Sequence, residues 1–498
     1  MKKTLAIIIA ALGCATANAQ EINAVVARQS NAVQEMTRLA NTPNVILSQD
    51  GITLKNGEQT VKGYNFSDGN VTVLFASAIN STESTENLTH PVVIENGGLL
   101  SVSGTMSNEN AEDLVIEDGG QLRFDEGTAN AIVKKVITGY NGGDGNWYLV
   151  ASPVAGTDAP AGMIDETADN YDLYIFNQSS EDGKEWNNYK VQSFDIENQN
   201  GYLYAHKNGT TLVFDGELAA TAEEKELVYD GTAQFAGFNL IGNPYTCDAY
   251  IDRDFYRMNT NGTELIPASG AIHALEGVFV QATATDESIT FSKDAPVTQN
   301  GMCAMTLSQG TANIDRAIVN FGKGGSLDKF MLNPAHTNIR LDKDGEEYAA
   351  VSTSSTSGEI PVSFKAAKNG NYTITVNTEN VEAEYMHLID NMTGMDIDLL
   401  ATPSYSFEAK TDDYASRFKL VFGVKDETSE ASENFAYISN GEIIISNEGR
   451  ATLQVVDVLG RIISSEEING ECRISTNGMT AGLYILSLNG KTQKIVIR

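Results

Sequence analysis

The 498-residue chain is poor in cysteine, in basic charge, in histidine and in long apolar runs, and each shortage excludes something. Of its four cysteines, Cys14 lies among the first twenty residues. Cys247, Cys303 and Cys472 are scattered, with no C-x-x-C pair among them. That rules out a disulfide framework. The three thiols read as small buried hydrophobes, so β-sheet cores must hold the fold. Lys and Arg total 33 against 66 Asp and Glu, a formal net charge of −33. A surface this negative repels nucleic acid and anionic headgroups, so no nucleic-acid partner is expected. No stretch reaches the roughly 20 apolar residues of a spanning helix, so no transmembrane segment is expected.

Catalytic signatures are missing as well. There is no H-E-x-x-H, G-x-S-x-G, Walker loop or paired C-x-x-C. The five histidines, His90, His206, His273, His336 and His387, stand far apart without ligand spacing. "GGDGN" at 142–146 resembles a calcium β-roll repeat but occurs once, with Trp147 where the ligand Asp should stand, so it reads as a turn. "LDKDGEEY" at 341–348 lacks the ligand order of an EF-hand and reads as a solvated turn. The expectation is no metal, no cofactor and no catalytic residue. An unrecognised hydrolase, for instance one in which Cys247 meets a distant histidine or two carboxylates meet in a cleft, stays as a third reading.

What is present is an export signal and a long series of strands. Lys2 and Lys3, the apolar run Leu5 to Leu12 and the small-x-small site Ala17-Asn18-Ala19 form a signal peptide over 1–19, leaving Gln20 at the new N-terminus. A lipoprotein signal would instead start the chain at Cys14, but Ala11 stands where such signals usually carry Leu. In the leader 20–43, Ile22, Val25, Val26, Val33, Met36 and Leu39 fit one helical face ended by Pro43, and a loosely ordered leader fits equally.

The expected fold is all-β and multidomain. Over 44–132, "VVIENGGLLSV" at 92–102 repeats as "LVIEDGGQLRF" at 114–124, and "GITLKNGEQTV" and "NVTVLFAS" look like degenerate copies. Stacked solenoid-like β-coils fit this period, and so does a pair of β-hairpins. Residues 133–299 carry alternating strands and both tryptophans and predict an aromatic-rich β-sandwich, with "KNGT" a tight turn between "GYLYAH" and "TLVFDG". Trp147 and Trp186 are the candidates for stacking on a ligand such as a sugar, and Trp186, in "EDGKEWNN", is the better placed for exposure. Core packing is the alternative role for these rings. Residues 300–423 predict a second sandwich, jelly-roll or Ig-like. Residues 424–434, "VKDETSEASEN", have linker composition.

Beyond the linker the charge changes. Residues 435–498 hold six basic and six acidic side chains, so the negative excess lies entirely before them. The strands "GEIIISN", "ATLQVVDVLGRIIS", "CRIST", "GLYILSL" and "TQKIVIR" predict a small Ig-like β-sandwich, its last two joined by Asn489-Gly490. "VVDVLGRII", the glycine before "LYILSL" and the closing "KIVIR" resemble the type A C-terminal sorting domain of the type IX secretion system of Bacteroidetes. Asp457, Gly460, Arg461, Gly482, Tyr484 and Lys494 carry that resemblance. It implies that residues 435–498 are recognised by the type IX machinery at the outer membrane and usually cut off, the cargo then being tethered or released. "GNWYLVASPV", "FNLIGNPY" and "DYASRFKLVFG" more loosely resemble uncharacterised modules of surface proteins from the same phylum. The functional expectation is an exported surface protein with a structural or adhesive role. The alternative is a surface glycan-binding module, and a host or bacterial surface protein is a further conceivable partner.

Overall fold

A computed structural model describes the strand segments 24–29, 32–38, 43–48, 51–56, 59–65, 71–75 and 78–81, and then residues 92–497 except 144, 297–300, 323–324, 332, 425–434, 440, 448 and 458–459. Ala17 and Ala19, the expected signal-cleavage residues, and most of the expected linker lie outside the described residues. Within them every regular element is a strand apart from two single-turn 3-10 helices, Ala111–Asp113 and Ala168–Asn170. None of the described residues forms a helix long and apolar enough to cross a membrane.

The leader helix does not form. Ala24–Gln29 and Ala32–Arg38 are antiparallel strands with Val26 opposite Met36, and the first also pairs with Val71–Phe75. Val25, Val26 and Val33 are β-branched and lose rotamer freedom in a helix, so an available sheet edge outweighs a short helical spacing.

The repeat is a stack of coils. Val92–Ile94 pairs in parallel with Leu114–Ile116, placing Ile94 against Ile116. Leu99–Ser107 pairs in parallel with the first part of Gln121–Ile137, placing Leu100 against Leu122. Hairpins would pair antiparallel, so the parallel register excludes them. The turns stack too, with Gly97 N–H donating to Gly119 O at 2.9 Å and Asn96 Nδ2 to Asp118 O at 3.0 Å. Asn108 and Asn130 make a further pair at the same spacing of 22. Buried Asn108 donates from Nδ2 to Asn130 O at 2.7 Å and accepts from Asn130 N–H at 2.9 Å. Val71–Phe75 and Ala78–Ser81 extend the stack, so "NVTVLFAS" opens one more coil. "GITLKNGEQTV" does not: Gly51–Asn56 and Gln59–Asn65 form an antiparallel hairpin.

The expected boundary between 132 and 133 falls inside the strand Gln121–Ile137, whose second half pairs antiparallel with Thr210–Leu218. That pairing covers an edge of the parallel stack, which is how a few coils suffice. The "KNGT" turn is tight, as expected, but the strands it joins part company. Gly201–His206 joins Tyr148–Ala151 and Tyr171–Phe176, while Thr210–Leu218 goes to the coil stack. Consequently one hydrophobic core runs from Leu54 through Ile116 and Val133 to Tyr204 and Leu275.

A second sheet, built from Phe238–Gly242, Gly277–Gln281, Phe255–Met258 and Leu265–Ala268, completes the aromatic-rich region. It meets the next domain around Phe330, whose ring lies 4.7 Å from that of Phe238 and 5.1 Å from that of Phe279. Tyr256 ties the join by donating its hydroxyl to Asp328 O at 2.6 Å and accepting from Phe330 N–H at 2.8 Å. Residues 301–424 wrap one long sheet around a core of Met305, Phe364, Ile374, Leu388 and Phe407. Cys247 and Cys303 are buried, and Cys472 half-buried; no disulfide joins them. "LDKDGEEY" is the tight turn between Asn338–Lys343 and Glu346–Thr353.

The chain closes on a small sandwich. One sheet holds Ala436–Ser439, Glu442–Ile445 and Cys472–Ser475; the other holds Ile462–Asn469, Arg450–Asp457, Gly482–Leu488 and Lys491–Ile497. Tyr484, Leu486 and Leu488 face its core together, while Leu483 is exposed, as their alternation predicts.

Candidate functional site: the C-terminal module and the interdomain cleft

The motif residues of the C-terminal module build one end of its outer sheet. Arg450–Asp457 ends at Asp457, and the chain reverses before Ile462–Asn469. The Asp457 carboxylate accepts from the Arg461 backbone N–H at 2.9 Å and from its Nε at 2.7 Å. Asp457 N–H donates to Arg461 O at 3.0 Å, and Gly460 N–H to Asp457 O at 2.9 Å. Gly460, at φ +80°, supplies the left-handed step that lets the loop close on itself. The spacing from Asp457 to Arg461 is therefore a self-pinned turn that leaves the Arg461 guanidinium exposed.

Across the sheet Asp457 stands opposite Tyr484, whose hydroxyl donates to Thr480 O at 2.9 Å. Gly482 opens the same strand, opposite Ile497. Lys494 is exposed, opposite Ile485. Asn489 and Gly490 both have positive φ, as the hairpin requires. Ile462, Leu483 and Val496 leave an apolar, cation-bordered outer face beside this turn.

The tryptophans sit differently. Trp147 and Trp186 are half-buried in an aromatic cluster, with Trp186 5.2 Å from Phe176, 5.7 Å from Phe279 and 6.5 Å from Tyr174. Trp147 lies 6.1 Å from Tyr174. The polar flanks of Trp186 hid this packing, because its strand pairs only through Trp186–Asn188.

A cleft of about 650 Å³ opens between the two large sandwiches, lined by Asp252, Asp254, Ser269, Gln281, Asn320 and Glu379 among others. Burial pushes the Asp254 carboxyl up to about 6, although Asn320 Nδ2 donates to it at 2.6 Å and Arg316 lies nearby. A carboxyl raised in the folded state stabilises fully below its unfolded value of about 4, and that contribution is lost as pH rises through 6. Asp254→Asn should therefore stabilise the chain by about 2–3 kcal/mol at pH 8 and by almost nothing at pH 4. Urea unfolding at the two pH values tests this, and equal effects at both would remove Asp254 as the cause.

Each described histidine has a carboxylate neighbour that no sequence spacing announced. His206 meets Asp165 at 3.3 Å, His273 meets Asp248 at 3.1 Å, His336 meets Glu264 at 2.9 Å and His387 meets Asp396 at 2.6 Å. Among the described residues no group of three or more His, Cys, Asp or Glu is arranged to hold a metal ion.

Residues 439–498 match the family described as the secretion system C-terminal sorting domain. A search of curated proteins found no match to the chain.

Proposed function

We propose that this chain, a type IX secretion substrate exported to the cell surface or secreted, serves there as a structural or adhesive protein. Its C-terminal module is the part that meets the type IX machinery. The observation that carries the role is the continuity of the body. Its first core passes from the coil stack into the first sandwich, and the aromatic join around Phe330 passes from the first sandwich into the second. A body whose described parts share buried cores suits load-bearing or display better than opening and closing on a substrate. Catalysis is not part of the proposal. Burial pushes the Cys247 and Cys303 thiols up to about 12, so neither supplies a thiolate nucleophile near neutral pH.

Deleting 435–498 in the native cell is expected to leave the chain beneath the outer membrane. Surface proteolysis of intact cells should then no longer reach it. Unchanged surface display would overturn the sorting role of the module.

The cleft favours a second reading, glycan binding. Its amide, hydroxyl and carboxylate lining suits a polyhydroxylated ligand. On a glycan array, binding abolished by Asn320→Ala would place the ligand in the cleft, while loss with Trp186→Ala would place it at the aromatic cluster. An array blank for the intact protein would leave the structural or adhesive reading alone.

A further inference from the structure

The C-terminal module is seated on the second sandwich by side chains that belong to neither core. In Ala383–Asp390, Met386 and Leu388 enter the sandwich core while Tyr385 and Ile389 turn the other way, joined by Val421 from the neighbouring strand. In the module, Ile443 and Ile445 enter its core while Ile444 turns outward, directly opposite Tyr437 on the next strand. These five outward residues form one buried cluster.

Polar contacts fix its register. The rings of Tyr385 and Tyr437 stack at 4.8 Å. Tyr385 donates its hydroxyl to Ala436 O at 3.1 Å. The Tyr437 hydroxyl lies 3.1 Å from His387 Nδ1 and 3.4 Å from Asp396 Oδ2, and His387 and Asp396 are themselves joined at 2.6 Å. Gln493 braces the module's first strand, accepting from Ala436 N–H at 2.7 Å. The strands that carry the apolar contact, Ala436–Ser439 and Glu442–Ile445, lie in the other sheet from Asp457, Tyr484 and Lys494.

We infer that the face formed by Tyr385, His387, Ile389, Asp396 and Val421 is a docking surface for residues 435–498 that holds the module without the covalent link. Paired aromatic anchors, buried apolar contact and satisfied polar groups are the features that concentrate binding energy in an interface. A cut between 425 and 434 would leave a non-covalent complex, and departure of the module would uncover an apolar face on the mature protein. The inference does not rest on the sorting role: export can fail with docking intact, and docking can fail with export intact.

The test is a protease recognition sequence placed within 425–434 of the full chain, which is then purified and cut to completion. Gel filtration at about 1 μM should return both pieces in one peak. Tyr437→Ala should weaken retention about tenfold or more, splitting the peak. His387→Ala, on the body side, should do the same while leaving the module's own core untouched, which separates lost docking from lost folding. Separation of the cut, unsubstituted pieces would overturn the inference. So would co-elution that neither substitution weakens.

Discussion

Arg417→Met should cost the second sandwich about 3–5 kcal/mol, because it strands a fully buried carboxylate. Arg417 and Asp390 are 1% and 0% exposed. The guanidinium donates from Nη2 to Asp390 Oδ2 at 2.9 Å and from Nη1 to Glu408 O at 2.9 Å, and it lies over the rings of Phe407 at 4.6 Å and Phe418 at 5.2 Å. Tyr405 donates its hydroxyl to the same carboxylate at 3.0 Å. Burial alone would push the Asp390 carboxyl up, but Arg417 and these hydrogen bonds hold it below its ordinary value. A depressed carboxyl contributes stability above its unfolded value of about 4, lost as pH falls through the folded value. Met fills much of the space and keeps the apolar contact with the rings, so the loss isolates the charge. The penalty should therefore shrink in acid, where the stranded group can protonate. Arg417→Met with Asp390→Asn should recover at least half of the loss at pH 7, since it leaves no buried charge. Chemical denaturation followed by circular dichroism measures all three chains. A single-variant loss below about 1 kcal/mol, or a double variant no better than the single, would contradict the account.

That pair marks the limit of what could be read along the chain. Asp390 and Arg417 lie in runs that look like ordinary strands, "YMHLID" and "SRFKLVFG", and nothing local says that they meet. The stacked coils were legible because their period is written twice in the sequence and each copy repeats its turn residues. The Asp457 turn was legible because the hydrogen bonds that join Asp457 to Gly460 and Arg461 close within five residues. The seat of the C-terminal module was not. "EIII" and "YMHLI" break strict alternation because both faces of each strand are covered, and a buried run of this kind also fits a strand in the middle of any core. The joint between coil stack and first sandwich is silent in the sequence for a related reason: one continuous strand serves both, so no change of composition marks it.

The same strand supplies the second large effect. Gln121–Ile137 leaves one sheet and enters another, and Gly127 sits at the crossing, with φ +101° and paired to Met106 just past an irregular register at Phe124 and Glu126. A Cβ there would lie 1.9 Å from Met106 O, a backbone atom that cannot swing aside. Gly127→Ala therefore adds a left-handed strain of about 1–2 kcal/mol to a clash relieved only by parting the parallel ladder, for a total of about 3–4 kcal/mol. Gly460→Ala separates the two terms: its φ is +80°, but its Cβ would meet nothing within 4 Å, so only the strain of about 1–2 kcal/mol should appear. Hydrogen exchange gives the location as well as the size. Protection should fall in Leu99–Ser107 and Gln121–Ile137 for Gly127→Ala and stay unchanged there for Gly460→Ala. Equal losses for the two alanines would mean that backbone strain alone matters at Gly127, and that the coil stack can give way around Met106 at little cost.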